Sequence, residues 1–524
     1  MKVASASILP LVVLASASDI ILQLPGASTR DIDPNFLAFG FEEASFVRFV
    51  LDNQNNINTF SVNLLQGITN RTGGQAIIRI GGTSADYAWY NASQTEPVLP
   101  VAEMDSDDII PGTSIGPSFW QLTKLFAEAA YMVQVPLATT DINETVTWVQ
   151  TAIDNMNADQ IFVFEIGNEP DWYSTTYEGT NHKDLGPPFW QGKFTNETYV
   201  SNYTQRANAI IAQVSNLPAQ PIFQAFDTAA RVNSDSSVLE YDMAYDECFP
   251  LGIDAQGYIK TVAQHYYQNK AGGADSLADG LMNLTSTHAR MDYLRVRINY
   301  LEENSIDIPF VLSEAGNSLG AEPAYQIVLG SALWLVDFYL YALTLGVQRV
   351  HYQQMVSNAC LSSLWLPVYS ADEKPQVYSN YYALILVGEF IGNSGSASMA
   401  QIDVTNDVNV SAYAAFENGV VKRVAIVNME YWNLTSSGHA RPSANVSLEL
   451  PSGIQTVTIA KLTSPWGAGS DATSITYGGS QWTYESQGFE VSGIRDDTET
   501  IEVSSSSTSF AVDASSAVLI TLVS

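Results

Sequence analysis

Two glutamates stand where a pair of carboxyl groups could perform acid/base chemistry. Glu169 closes the segment IFVFEIGNE, which begins at Ile161, and Glu314 closes the segment IPFVLSE, which begins at Ile308. Such short, nearly all-apolar runs predict strands that are buried on both faces, as in a parallel sheet. The carboxyl ends of these strands form the active-site edge of a (β/α)8 barrel. Two carboxyl groups at that edge are the minimum equipment for cleaving a glycosidic bond.

Eight strand-like runs occur between about residues 36 and 390, and stretches with helical spacing of apolar residues separate them. The predicted strands are Phe36–Phe41, Ala76–Ile80, Met132–Ala138, Ile161–Ile166, Pro221–Phe226, Thr261–Tyr267, Ile308–Leu312 and Arg349–Met355. The predicted helices include Trp120–Met132, Thr145–Met156, Tyr199–Ser215, Thr287–Leu301 and Ala324–Leu345. Eight β-α repeats favour a closed barrel over an open sheet. Glu169 then follows the fourth strand, and Glu314 ends the seventh.

The pattern changes after about residue 395 to short strand-like segments with Gly, Ser and Asn between them. These segments are Val408–Phe416, Val420–Asn428, Asn445–Leu450, Thr456–Lys461 and Ala517–Val523. They predict an all-β sandwich, and the isolated run Ile20–Leu24 is expected to add a strand to it. The fold class is therefore α/β, a (β/α)8 TIM barrel with a C-terminal all-β sandwich. We expect an N-terminal strand at 19–35, the barrel at 36–392 and the sandwich at 393–524.

The first 18 residues combine one positive charge with a short apolar centre and a run of small residues. This pattern predicts a secretory signal peptide at 1–18. A membrane anchor or a buried helix is the alternative, but about ten apolar residues are too few to span a bilayer. Nine Asn-x-Ser/Thr sequons beside such a segment favour a secreted, extracellular glycoprotein. The sequons begin at Asn70, Asn91, Asn143, Asn196, Asn202, Asn283, Asn409, Asn433 and Asn445.

Cysteine usage and charge restrict the remaining function classes. A disulfide between Cys248 and Cys360 would suit a secreted protein, and two unpaired buried thiols are the alternative. The formal net charge of −33 repels nucleic acid and anionic membranes, so neither is an expected partner. The five histidines show no metal-ligand spacing, and no glycine-rich phosphate loop or dinucleotide fingerprint is present. We therefore expect no metal and no organic cofactor.

Four stretches together resemble glycoside hydrolase family 79, the β-glucuronidase and heparanase family. They read FGFEE from Phe39, RIGGT from Arg79, GNEP from Gly167 and QHYY from Gln264. A barrel followed by a β domain matches this family as well, so the resemblance covers nearly the whole chain after the predicted signal peptide. It implies a retaining exo-β-glucuronidase that removes terminal β-linked glucuronic acid, with or without a 4-O-methyl group, from glycans or conjugates.

The resemblance also implies roles for individual residues. Glu169 would be the acid/base, Glu314 the nucleophile, and Asn168 the ligand of the sugar 2-hydroxyl. Further contacts to the sugar would come from Glu42, Thr83, His265, Tyr267 and Gly320. Tyr352 or Gln353, on the eighth strand, could add donors for the uronate carboxylate. His265 and Tyr267 could instead fill the barrel interior without touching substrate. Leu319 departs from the family pattern, in which a tyrosine often precedes the glycine that would bind the uronate carboxylate.

Two other functions stay open. An endo-acting, heparanase-like enzyme would need clustered Lys and Arg around an open cleft, which 22 basic residues against 55 acidic ones disfavour. A non-catalytic glycan-binding relative could keep the same fold, because fold alone does not fix function. The presence of both glutamates disfavours this second alternative.

Overall fold

The computed structural model describes residues 19–524, except 87, 101–112, 174–193, 230–242, 271, 321–322, 358–362 and 370–372. The predicted signal peptide at 1–18 and Cys360 lie outside these described residues. Within the described part of the chain, no helix has the length and the apolar character needed to cross a bilayer.

Eight parallel strands close into a barrel in the order of the chain, which confirms the predicted fold class. The strands are Leu37–Glu42, Ile77–Gly81, Ala130–Val135, Ile161–Ile166, Phe223–Thr228, Ile259–Lys270, Phe310–Leu319 and Arg349–Gln354. The eighth strand pairs with the first, which closes the ring. Each strand overlaps one of the eight predicted apolar runs, because a strand covered on both faces must be apolar almost throughout.

Helices surround the barrel. The longer ones are Glu43–Val50, Thr59–Thr72, Ile142–Asn155, Asn196–Gln213, Leu284–Met291, Arg295–Glu303, Leu329–Leu345 and Ser379–Ile391. Leu329–Leu345 and Ser379–Ile391 are buried over almost their whole surface. Both touch the C-terminal strands as well as each other, and this explains why they are apolar on every side.

Two predicted helices differ in the structure. Trp120–Met132 was expected as one helix, but helix Pro117–Gln121 and a 3-10 turn at Leu122–Leu125 end before the strand that begins at Ala130. Pairing of this apolar run with its two neighbouring strands overrides the local helical spacing. Thr287–Leu301 is likewise divided into two helices by a 3-10 turn at Asp292–Leu294.

The C-terminal region is all-β. Its larger sheet contains Arg30–Asp31, Ala397–Ile402, Val410–Glu417, Val420–Asn428, Ser516–Val523, Thr456–Thr463, Thr476–Tyr477 and Thr498–Glu502. The smaller sheet contains Asp19–Leu22, Ser443–Glu449 and Ser507–Asp513. Apolar side chains of both sheets, among them Leu22, Val446 and Ile520, form one core between them. The described part of the chain therefore begins and ends in this sandwich.

Cys248 is a free, buried thiol in the structure. Its Sγ lies 3.7 Å from Oδ1 of Asn196. Cys248 is therefore unpaired here, as in the alternative of free thiols, while its possible disulfide partner Cys360 lies outside the described residues.

A buried carboxylate joins the barrel to the sandwich. Asp337, within helix Leu329–Leu345, accepts hydrogen bonds from Ser411 Oγ at 2.6 Å and Tyr413 OH at 2.7 Å, both in the sandwich. Nε2 of His288 lies 2.8 Å from the same carboxylate. Burial raises the pKa of Asp337, but the His288 charge and these hydrogen bonds outweigh burial and hold the pKa below its usual value. Stability from this group is therefore present above the ordinary aspartate pKa and is lost as the pH falls through the folded-state value.

We expect Asp337→Ala to lower Tm by several degrees at pH 7, equivalent to about 3 kcal/mol, because it leaves the partly buried ring of His288 and two hydroxyls without their partner. Asp307→Ala is the matched control, since Asp307 is exposed and makes no side-chain hydrogen bond within the described residues. Calorimetric melting of the two variants measures the difference. Equal, small shifts for both variants would contradict this assignment.

Candidate active site

The side chains inside the barrel come from alternate positions of its strands. Strand register places Arg79 beside Gly40, Gly40 beside Gln353, and His265 beside Glu314. The inner floor is apolar and is formed by Ala38, Ile77, Ala130 and Phe162. Polar side chains therefore occupy the next layers, toward the carboxyl ends of the strands, where barrel enzymes keep their active sites.

Arg79 occupies the centre of this polar layer and is fully buried. Its Nε and Nη2 bind the two oxygens of Glu165 at 2.7 and 2.6 Å. Its Nη1 binds Oε2 of Glu314 at 2.6 Å, and Nη2 also donates to Oδ1 of Asn168 at 2.7 Å. One guanidinium thus links the second, fourth and seventh strands, because its planar array of donors reaches several acceptors at once.

Glu314 is held as a carboxylate by its neighbours. Besides the Arg79 bond to Oε2, Oε1 accepts a hydrogen bond from Tyr267 OH at 2.7 Å. Burial raises the pKa of Glu314, but the charges of His265 and Arg79 outweigh burial and place the pKa below its ordinary value. An ionised, oriented carboxylate is the form that a nucleophile requires.

Glu169 is carried by an unusual turn after the fourth strand. Gly167 has φ 91°, and a Cβ at this position would lie 2.6 Å from Leu137. Glu169 itself has φ 45°, a left-handed conformation that is uncommon for a residue with a side chain. Its backbone N–H donates to the carbonyl of Asp227 at 2.7 Å, which fixes the turn against the fifth strand. Strained backbone of this kind is concentrated at functional sites.

His265 stands between the two glutamates. Its Nδ1 lies 2.9 Å from Oε1 of Glu169 and 3.9 Å from Oε2 of Glu314. Burial lowers its pKa, but the Glu314 charge and the bond to Glu169 outweigh burial and raise the pKa of His265 to about 9. A carboxylate oxygen of Glu169 and one of Glu314 lie within 4.8 Å of each other. The imidazole is therefore cationic at neutral pH and touches both members of the pair.

Asp227 lies behind His265, with side-chain atoms of Glu165, Asp227 and His265 within 4.8 Å of one another. Burial and the nearby Glu165 raise the pKa of Asp227 to about 8. Asp227 therefore carries a proton at neutral and acidic pH. These side chains have the atom types of metal ligands, but Arg79 already supplies the positive charge that binds Glu165 and Glu314.

The predicted contact Glu42 lies at the far side of the same layer. Its Oε1 accepts hydrogen bonds from the backbone N–H and the Oγ of Ser84, both at 2.7 Å, and Oε2 accepts one from Gln353 Nε2 at 3.0 Å. Burial and the Glu314 charge raise the pKa of Glu42 to about 7. Gly82, with φ 99°, passes so close that a Cβ there would lie 2.0 Å from Glu42.

Eight of the ten sequence-predicted site residues lie at the carboxyl end of the barrel. Seven of them are inside it and one is at its rim. The interior network contains Glu42, Asn168, Glu169, His265, Tyr267, Glu314 and Gln353. Gly320, with φ 83°, directly follows the seventh strand. Thr83 is half-buried and makes no side-chain hydrogen bond among the described residues, whereas its neighbour Ser84 binds Glu42.

Tyr352 does not join this interior network, unlike Gln353. It pairs in register with Ala315 and Phe39 and belongs with them to the apolar cluster between the strands and the helices. Side chains alternate between the two faces of a strand, so Gln353 points into the barrel while Tyr352 points out of it.

Sequence reasoning gave no role to Arg79, Glu165 or Asp227. A signal was nevertheless present, because Arg79 and Glu165 are lone charges of opposite sign in two otherwise apolar strands. A charge that is buried in a sheet must find a partner, so such charges are expected to pair. Asp227 offered a weaker signal, since it stands near the end of a strand where exposure was equally plausible.

Known proteins are similar to this chain in sequence. Residues 412–519 match the model described as the glycosyl hydrolase family 79 C-terminal beta domain. A beta-glucuronidase of Neurospora crassa is 27% identical over 528 residues, which cover 92% of this chain and 91% of the relative. A beta-glucuronidase of Aspergillus niger is 26% identical over 500 residues, covering 90% of this chain and 87% of the relative.

Among solved structures, a 4-O-alpha-L-rhamnosyl-beta-D-glucuronidase from Fusarium oxysporum superposes with a TM-score of 0.76 at 20% identity, covering 96% of this chain and 100% of the other. This match shows that the fold is shared over 96% of this chain. The protein is therefore a glycoside hydrolase built on a (β/α)8 barrel. The resemblance to glycoside hydrolase family 79 that four sequence motifs indicated is confirmed, and within the C-terminal β domain residues 412–519 carry the match to that family's model.

We expect Arg79→Lys to lower kcat/KM by about 10²–10³-fold, because an ammonium group cannot hold Glu165, Glu314 and Asn168 together. Weaker pairing also removes part of the charge that keeps the pKa of Glu314 low. The acidic limb of the kcat/KM profile should therefore move to higher pH. Arg48→Lys, on the outer helix Glu43–Val50, is the matched control. An unchanged acidic limb in Arg79→Lys would show that Arg79 does not control the ionisation of Glu314.

Proposed function

We propose that the protein is a secreted, retaining exo-β-glucuronidase that removes terminal β-linked glucuronic acid, with or without a 4-O-methyl group, from glycans or conjugates. The observation that carries the mechanism is the pair of carboxylate oxygens of Glu169 and Glu314 within 4.8 Å of each other. Retaining glycosidases hold their two carboxyl groups about 5–5.5 Å apart, whereas inverting enzymes need roughly 6.5–9.5 Å to admit a water molecule. The short separation favours the retaining mechanism.

The environments of the two glutamates support different roles. Glu314, ionised beside Arg79 and Tyr267, attacks the anomeric carbon and forms a covalent glycosyl-enzyme. Glu169 has a side chain that is 19% exposed, so it can reach the leaving oxygen and then a water molecule. It donates a proton to the leaving oxygen in the first step and takes one from water in the second. Asn168, oriented by Arg79, is suited to bind the sugar 2-hydroxyl.

The charge balance of the site supports an anionic sugar as substrate. Below pH 7, Glu42 and Asp227 are protonated, since their pKa values are raised to about 7 and about 8. The cationic Arg79 and His265 lie beside Glu165, Glu314 and Glu169. A uronate therefore enters a site without a large excess of negative charge, although the chain as a whole is strongly acidic. The backbone amide of Gly320 is proposed as a donor to the uronate carboxylate.

The relatives support the same substrate class, because both fungal relatives that align over about nine tenths of this chain are named beta-glucuronidases. The acidic composition and the absence of a basic cluster in the sequence disfavour an endo-acting enzyme for long polyanionic glycans. A non-catalytic role is disfavoured by the Arg79, His265 and Tyr267 contacts, which orient both glutamates for reaction. Export is supported by the predicted signal peptide and the nine sequons.

An aryl β-glucuronide should be hydrolysed with a kcat/KM about 10²-fold or more above that of the matching β-glucoside, because donors arranged for a carboxylate are poorly paired by a CH2OH group. The β-galactoside serves as a second comparison. The preference should persist at about 0.5 M salt, where long-range fields are screened, because recognition is local. Comparable kcat/KM values for glucoside and glucuronide would refute the uronic acid assignment.

Glu169→Ala and Glu314→Ala should fail in different ways. With a nitrophenyl glucuronide, whose leaving group departs without protonation, Glu169→Ala should form the glycosyl-enzyme readily and accumulate it. Added azide should then restore turnover and yield a β-glycosyl azide. Glu314→Ala should lose about 10⁴-fold or more in kcat, and any azide product should have the inverted, α configuration. The same response of both variants to azide would overturn this division of roles.

A further inference from the structure

A cleft with a volume of about 900 Å³ lies between the barrel and the sandwich. Its barrel wall includes Gln268 and Lys270, at the end of the sixth strand, and residues of the helix Leu284–Met291. Its sandwich wall is formed by Val408, Asn409 and residues 429–431. None of the residues placed in the catalytic network lines this cleft, so the proposed reaction does not involve it.

Two of the nine sequon asparagines line this cleft from opposite walls, Asn283 from the barrel and Asn409 from the sandwich. All nine lie within the described residues, and none of them is buried. Some of the others hold their amide nitrogen in a hydrogen bond, as Asn202 does with the carbonyl of Thr198 and Asn445 does with Asp19. The Nδ2 atoms of Asn283 and Asn409 make no hydrogen bond within the described part of the chain.

The local structure at Asn283 is compatible with a glycan. Asn283 is the N-cap of helix Leu284–Met291, and its Oδ1 accepts a hydrogen bond from the backbone N–H of Ser286 at 3.0 Å. An N-linked glycan is attached through Nδ2, so Oδ1 remains available to cap the helix. Asn283 can therefore cap the helix in the barrel wall and, at the same time, carry a glycan that enters the cleft.

The walls suit a neutral saccharide. Val408 is 76% exposed and Tyr431 is 38% exposed beside Asn409, which gives an apolar surface that the C–H faces of sugar rings can cover. Charges of both signs line the cleft, with Lys270 and Arg290 against Asp279 and Glu430. This mixture does not favour a polyanion, whereas hydroxyl groups can pair with either sign. The cleft volume lies at the upper end of the range for small-molecule sites, about 300–1,000 Å³.

We propose that N-linked glycans at Asn283 and Asn409 pack into this cleft and bridge the barrel and the sandwich. The occupant is the chain's own glycan, built on neutral N-acetylglucosamine and mannose units. This inference rests on the export that is part of the proposed function. It adds that two of the nine sites serve the packing of the domains and not only solubility.

The test uses the full chain secreted from a eukaryotic host. Glycopeptide mass spectrometry should find both sites occupied. Treatment of the native protein with a glycan-releasing amidase should free the glycans of Asn283 and Asn409 at least about 10-fold more slowly than those of Asn70 and Asn143, which do not line the cleft. After denaturation all four should be released at the same rate. Equal release from the native protein overturns the proposal, as do vacant sites at 283 and 409 when other sequons are occupied.

Paired variants separate the glycan from the side chain that carries it. Thr285→Ala removes the sequon and keeps the Asn283 cap, whereas Thr285→Ser keeps the sequon. We expect Thr285→Ala to lower Tm by about 2–4 °C and Thr285→Ser to leave it unchanged, with kcat/KM unaffected in both. Equal melting of the two variants overturns the bridging role. Failure of export, with no sequon occupied anywhere, instead contradicts secretion itself and removes this inference together with it.

Discussion

The buried guanidinium of Arg79 is the constraint on which the catalytic site depends. A fully buried cation is tolerated only when its donors are bonded, and here Glu165, Glu314 and Asn168 bond it. The same bonds hold the nucleophile candidate ionised and set the position of the Asn168 amide. Arg79 therefore links the buried interior of the barrel to the candidate catalytic residues at its carboxyl end, because the same guanidinium bonds Glu165, Glu314 and Asn168.

The acidic groups around Arg79 are divided by their pKa values into two sets. Glu314 is held ionised, whereas burial raises the pKa of Glu42 to about 7 and that of Asp227 to about 8. His265, with a pKa raised to about 9, adds a second positive charge between the two catalytic candidates. Two of the buried acids, Glu42 and Asp227, are thus neutral in an acidic medium, which lowers the negative charge that would face the anionic sugar of the proposed function.

The outer parts of the molecule position this centre. The apolar helices Leu329–Leu345 and Ser379–Ile391 lie between the barrel and the sandwich, and Asp337 ties the first of them to Ser411 and Tyr413. Because both helices are covered on almost every side, the sandwich completes the burial of the barrel's outer layer. This explains why a catalytic barrel is accompanied by a β domain that contributes none of the described catalytic candidates.

The sequence by itself determined the eight barrel strands, the change to all-β structure and the two glutamates, because a strand buried on both faces must be apolar and a charge at its carboxyl end stands out. It did not determine which side chains meet. Strand register decided that Gln353, and not Tyr352, faces the barrel interior. Strand pairing and packing also decided the end of the expected helix Trp120–Met132 and the free thiol of Cys248. The Arg79 network likewise joins residues that are 86 and 235 positions apart, a proximity that only the closed barrel creates.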